Sequence, residues 1–194
     1  MIEETLDIPT KDGAMETFTC RPERGGPYPA ILFFMDAPGI REELHEMARR
    51  LATVGYFVLQ PNLYYRAGRD MKNFGPDVLE KGSAAQTRMR SVRTKMTIPP
   101  VKDDIAAMLD YVDAHNDAKP GPVGTHGYCM SDPYSLAAAA RFPDRVAAAA
   151  SFYGTCWSAM LKKARTSISA RRRASCISVV RSMTIWRRRT WSRN

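Results

Sequence analysis

Apolar residues along the chain change their period several times, and each change marks an element. Residues 3–8 and 14–20 alternate on either side of Lys11-Asp12-Gly13, which predicts an N-terminal hairpin. Ala30 to Met35 reads AILFFM, the continuous apolar run of a strand buried on both faces of a sheet. In REELHEMARRLATVG the apolar residues Leu44, Met47, Ala48, Leu51 and Val54 recur at helical spacing, acids fill the first turns, and Gly55 closes the helix. Tyr56 to Leu59 predicts a second buried strand, ended by Pro61.

Residues 62–95 are polar, rich in Gly and Arg and weakly periodic, so they read as a long loop or lid with one helix near 84–95. After Pro99-Pro100, VKDDIAAMLDYVDAH places Ile105, Met108, Leu109 and Val112 on one helical face. Gly121 to Gly127 enters a third strand, Ser135 to Arg141 is an alanine-rich helix, and Val146 to Phe152 is a fourth strand. Strands alternating with helices in this order predict an α/β fold with a mostly parallel sheet and right-handed crossovers.

Composition adds bounds rather than detail. The 194 residues, 44% hydrophobic and 25% charged, suit one globular domain and exclude collagenous, coiled-coil or disordered chains. No apolar run approaches the roughly 20 residues a bilayer needs, and MIEETLDIPT is acidic where a secretory signal is basic. A cytoplasmic protein without a membrane span is therefore expected. Cys20, Cys129, Cys156 and Cys176 have no CxxC spacing, so free thiols are expected, with no metal site and no disulfide framework.

The net charge of +9 changes the picture only once it is divided. Residues 1–154 hold 18 Lys and Arg against all 20 Asp and Glu, whereas residues 155–194 hold 11 Lys and Arg and no acid. The body is mildly acidic, and nucleic acid is not its expected partner. Two segments follow: a core over 1–154 and an aberrant basic tail over 155–194.

The chemistry concentrates in THGYCMSDPYSLAAAARFPDR. A reactive residue with Gly two positions before and a small residue two positions after, between strand and helix, has the pattern of a nucleophile elbow. It reads Gly127-Tyr128-Cys129-Met130-Ser131, so the nucleophile would be a thiolate, assisted by the dipole and free N–H groups of the next helix. The competing reading is a cysteine packed beneath a helix.

Three stretches, AILFFMDAPGIREELHEMARRLATVGYFVLQPNLYYR, DDIAAMLDYV and GYCMSDPYSLAAAARFPDRVAAAASFYG, together resemble the dienelactone hydrolase family over about residues 3–154. The resemblance implies an α/β-hydrolase fold and a hydrolase that cleaves a lactone or other small-molecule ester through a Cys, His, Asp triad, with no metal or organic cofactor. It makes Cys129 the nucleophile and the backbone N–H groups of Met130 and Ala37 the oxyanion donors. Asp36 stands where many members have a Glu that contacts the resting cysteine; a carboxylate capping the next helix is the equal alternative. Tyr64, Tyr65 and Arg66 would border the pocket mouth or be ordinary loop residues, and Arg88, Arg90 and Arg93 are candidates for a substrate-binding arginine. Two departures stand out: Ser131-Asp132 replaces the usual Gly-Gly, bringing a carboxylate close to the nucleophile, and Asn62 replaces an acid before Tyr64-Tyr65-Arg66.

In this architecture the triad acid and histidine follow the nucleophile. From Arg145 to Asn194 there is no Asp, Glu or His; His45, His115 and His126 all lie upstream, and His126 sits within the strand feeding the elbow. An impaired triad is therefore expected. Read one nucleotide earlier, Cys156-Trp157 must yield Leu and Met183-Thr184 must yield Asp, and the re-read segments resemble those that follow the FYG strand in the family. The tail thus reads as out of frame from near Thr155. The alternative is a non-catalytic protein whose basic tail, with Trp186 and Trp191, binds nucleic acid or an anionic surface. The fold is expected to lack its usual last strands, leaving the strand at 146–152 on an exposed edge beside an irregular tail.

Overall fold

A computed structural model of the chain describes residues 1–152 and the backbone of 175–179. The N-terminal hairpin forms from β1 (Ile2–Thr10) and β2 (Gly13–Arg21), in antiparallel register from Ile2 opposite Arg21 to Thr10 opposite Gly13. The strands that follow are β3 (Ala30–Phe34), β4 (Phe57–Pro61), β5 (Val123–Tyr128), β6 (Val146–Phe152) and β7 (Ser175–Val179). Their spatial order is β1-β2-β4-β3-β5-β6-β7, with every pair from β4 onward parallel. The expected α/β architecture is thus present, with the antiparallel hairpin added at one side.

The centre of the sheet is built where the sequence is uniformly apolar. Leu32, Phe33, Phe34 and Met35 are inaccessible to solvent, as are Phe57, Val58 and Leu59 on β4. Helix α1 (Glu42–Thr53) covers β2 and β4 by burying Leu44, Ala48 and Ala52, and the chain leaves it through Gly55 at φ +95°, a value glycine adopts without a Cβ clash. Helix α3 (Ile98–Ala114) packs on α4 (Asp132–Arg141), which in turn lies on β5 and β6.

The polar stretch between β4 and α3 contains short 3₁₀ turns at Tyr65–Ala67, Arg69–Lys72 and Pro76–Leu79, then α2 (Ala84–Arg93). Helix α2 starts where Ser83 Oγ accepts the Gln86 N–H at 3.0 Å while Gln86 Oε1 accepts the Gly82 N–H at 3.1 Å. Pro99 and Pro100 lie inside the first turn of α3 rather than ahead of it, where their missing N–H groups would have no intrahelical partner anyway.

The expectation of an exposed β6 edge is corrected. Strand β7 lies parallel to β6, with Ala148 opposite Ser175 and Phe152 opposite Val179. Residues 174–180, ASCISVV, form an uncharged stretch containing the β-branched Ile177, Val179 and Val180 between Arg173 and Arg181, and a stretch of this kind suits a strand. Cys156 and the other residues of 153–174 and 180–194, and with them the out-of-frame reading, lie outside the described residues. Among the described residues no helix is long and apolar enough to cross a membrane.

Candidate active site

Strand β5 ends in the turn that the glycine pattern predicts. A Cβ on Gly127 would stand 2.3 Å from the Ser131 carbonyl oxygen and 2.7 Å from its carbon, so only glycine lets the chain fold back so tightly. Cys129 has φ +51°, the one non-glycine residue with positive φ among the described residues, a conformation that costs about 1 kcal/mol. From Cys129 the backbone turns helical, first as a 3₁₀ turn (Cys129–Ser131) and then as α4, so the N–H groups after Cys129 stand at a helix start. The thiol is free and partly exposed. Cys20, by contrast, is fully buried, and desolvation pushes its thiol up to about 12.

The loop after β3 faces this turn. Register pairs Phe34 with Gly127, so Met35-Asp36-Ala37 and Tyr128-Cys129-Met130 leave adjacent parallel strands side by side. Two side chains tie them together. The Ser131 hydroxyl, wholly buried, donates to the Met35 carbonyl. The Tyr64 phenol, also inaccessible to solvent, donates to the Ala37 carbonyl at 2.9 Å, and its oxygen lies 3.1 Å from Met130 Sδ. Burial raises the Tyr64 pKa, so its proton stays in place, and Asp36, Cys129, Arg93 and Tyr134 are near enough to act on it electrostatically.

Asp36 is engaged by Arg41 in a bidentate pair at 2.6 and 2.8 Å. Arg41 is the N-cap residue of α1, and no side chain caps that helix directly, so Asp36 meets α1 through a guanidinium rather than through backbone N–H groups. Tyr65 and Arg66 do not border the site. The Arg66 guanidinium pairs with the buried Asp104 through two 2.8 Å contacts, and the Tyr65 hydroxyl donates to the same carboxylate at 2.8 Å. Asn62 accepts the Tyr64 N–H through Oδ1 at 3.0 Å, a short turn that sets the direction of Tyr64.

A cavity of about 210 Å³ opens beside the elbow, lined by Arg93, Met96, Ile98, Met130, Pro133 and Tyr134, with Thr97 at its side. Arg93 is therefore the one of the three candidate arginines that reaches it; Arg88 stands near Asp70 at 3.6 Å, and Arg90 is exposed on α2. Asp132 is buried, its Oδ1 has no hydrogen-bond partner, and desolvation pushes its carboxyl up to about 6. His126 stacks among Phe33, Tyr128 and Phe152, and burial pushes it down to about 4. His45 packs on Phe18, and His115 packs on Phe57 and Tyr111. Among the described residues no cluster of His, Cys, Asp and Glu has the make-up of a metal site.

The chain matches the model of the dienelactone hydrolase family over residues 15–176. It is 30% identical over 154 residues to a protein of Methylorubrum extorquens named "Putative carboxymethylenebutenolidase", covering 79% of this chain and 50% of that one. A Synechocystis protein of the same name is 25% identical over 155 residues, covering 79% and 59%. The chain thus spans about half the length of these relatives. Among solved structures, a protein of Klebsiella pneumoniae described as a "Putative Dienelactone Hydrolase" superposes with a TM-score of 0.72 at 18% identity, over 94% of this chain and 85% of that one.

Proposed function

The chain belongs to the dienelactone hydrolase family, and from that premise we propose that it carries the acylating half of a lactone or small-ester hydrolase. Cys129 is the nucleophile, and the backbone N–H groups of Met130 and Ala37 are the oxyanion donors. The observation that carries the reading is Cys129 itself, a non-glycine residue in a left-handed conformation over a glycine that nothing else can replace. A thiol placed there stands clear of the sheet and at the start of a helical segment.

Acylation then runs on groups the chain possesses. The Cys129 thiol gives its proton to solvent, and the thiolate attacks the ester carbonyl carbon and forms the S–C bond while the carbonyl oxygen, now anionic, is held by the two N–H groups. The C–O bond to the leaving oxygen breaks, and that oxygen takes its proton from solvent; in a lactone it stays tethered to the acyl group. The cavity beside Met130 suits a small, mostly apolar acyl group, with Arg93 able to meet an anionic substituent. Hydrolysis of the thioester needs a base for water, and residues 146–194 supply no Asp, Glu or His, so the acyl-enzyme accumulates. That deficit is worth typically 10²- to 10⁴-fold in rate.

The test is to mix the 194-residue chain with p-nitrophenyl acetate and follow nitrophenolate release alongside intact mass. One equivalent should be released in a burst, with one acetyl group on Cys129 and slow turnover afterwards. Cys129→Ala should abolish both. Fast steady turnover would overturn the impaired-triad part, and a burst that survives Cys129→Ala would overturn the nucleophile.

A further inference from the structure

We propose that Tyr64 is a positioning residue that sets the separation of the two oxyanion donors, with Ser131 as its counterpart on the other side of the elbow; the proposal rests on the reading of Cys129 as an acylated nucleophile. The β3–β5 ladder ends at Phe34 opposite Gly127, and beyond it no strand pairing relates Ala37 to Met130. Yet an oxyanion hole requires two N–H groups aimed at one point with a tolerance of a few tenths of an ångström. Two hydroxyls bridge the gap. Tyr64 reaches from the segment after β4 to the Ala37 carbonyl and to the side chain of Met130, so a single phenol touches both residues whose N–H groups form the hole. Ser131, the residue after Met130, reaches back to the Met35 carbonyl. The loop carrying Ala37 is thereby held from both sides.

Tyr64 is itself fixed at three points. Its N–H donates to Asn62 Oδ1, Phe74 meets its ring edge-on at 5.6 Å, and its ring is wholly buried. Its neighbours Tyr65 and Arg66 are anchored on Asp104. A buried phenol on so rigid a base transmits position rather than charge. It is a positioning residue because the groups it holds, and not its own oxygen, face the reacting carbonyl. In this light the Gly-to-Ser departure at the elbow is a compensation in kind, a hydroxyl that adds a second tie where glycine would leave none.

The experiment separates holding the hole from holding the fold by comparing two reactions of the same sulfur. With p-nitrophenyl acetate, S–C bond formation develops an oxyanion before p-nitrophenolate leaves with the electron pair. With iodoacetamide the sulfur displaces iodide from a saturated carbon, and no oxyanion forms. Tyr64→Phe keeps the ring and should slow acetylation of Cys129 about tenfold while changing alkylation less than about twofold. Ser131→Ala should show the same split and decides the matter if Tyr64→Phe fails to fold. Equal losses in both reactions would reduce the two residues to structural roles, and unchanged acetylation in either variant would overturn the proposal. Absence of acetylation in the unsubstituted chain would sink the nucleophile reading, and this proposal with it.

Discussion

At the scale of single residues, the elbow's unusual feature is Asp132, a carboxylate buried one step past the turn with an unpaired oxygen. Its folded pKa stands raised at about 6 against an ordinary 3.8, so the folded state binds a proton there more tightly than the unfolded chain does. That contribution to stability is complete below pH 3.8 and is lost as pH rises through 6. Asp132→Asn should therefore stabilise the protein at pH 7.5, by on the order of 1–3 kcal/mol, and do little at about pH 3, below the unfolded value; paired urea titrations at the two pH values measure it. Equal effects at both would mean that the carboxylate is solvated. Residues of this kind divide sharply in how readable they are. Gly127, Cys129 and Ser131 announce themselves because a tight strand-to-helix turn admits few residue types, and the resemblance supplies the role of Cys129. Tyr64 does not, since a tyrosine in a polar stretch has no period, and its partners Ala37 and Met130 stand 27 and 66 residues away. Nor could the sequence decide between the two readings of Asp36, because the competing cation, Arg41, becomes its partner only when the chain turns at Gly39.

Among the elements, the segment between β4 and α3 was legible only in outline, as a loop with one helix, because 3₁₀ turns leave no apolar period. What fixes it is electrostatic. Asp104 is almost wholly buried on α3, and its carboxylate is satisfied by Arg66 and Tyr65 from the root of the segment. Removing the guanidinium strands a buried negative charge, so Arg66→Ala should lower unfolding free energy by about 3 kcal/mol, whereas Arg66→Leu with Asp104→Leu should lose much less. Urea midpoints for the single and double variants check this, and a double variant as weak as the single would disprove it. Strand β7 has no apolar period that would mark it in the sequence. Arginine clusters flank it on both sides, and five to seven uncharged residues are enough for a strand.

For the molecule as a whole, β7 changes what the C-terminal segment is for. It pairs with β6 from Ala148 to Phe152, so a chain ended at residue 154 should expose that edge and self-associate, while one ended at residue 182 should not. Light scattering of the two truncations at equal concentration distinguishes them; identical behaviour would mean that β7 contributes nothing to edge protection. The family match, which runs to residue 176, likewise crosses the boundary at 154 that the charge pattern suggested. The anchoring of the β4–α3 segment has a consequence for inheritance. Arg93, Met96, Thr97 and Ile98 shape the cavity from the far end of that segment and the start of α3, while Tyr64 to Arg66 secure its near end. Lys72 and Asn73 also pair with Ile40 and Gly39, and Phe74 packs on Tyr64, so the near clip extends to Phe74; the stretch beyond it is a cassette that can be rewritten for a new substrate while the reactive sulfur and its amide donors keep their geometry. Relatives then diverge in what they cleave long before they diverge in how, and an engineer exchanging such cassettes should cut after Phe74 and never before Asn62.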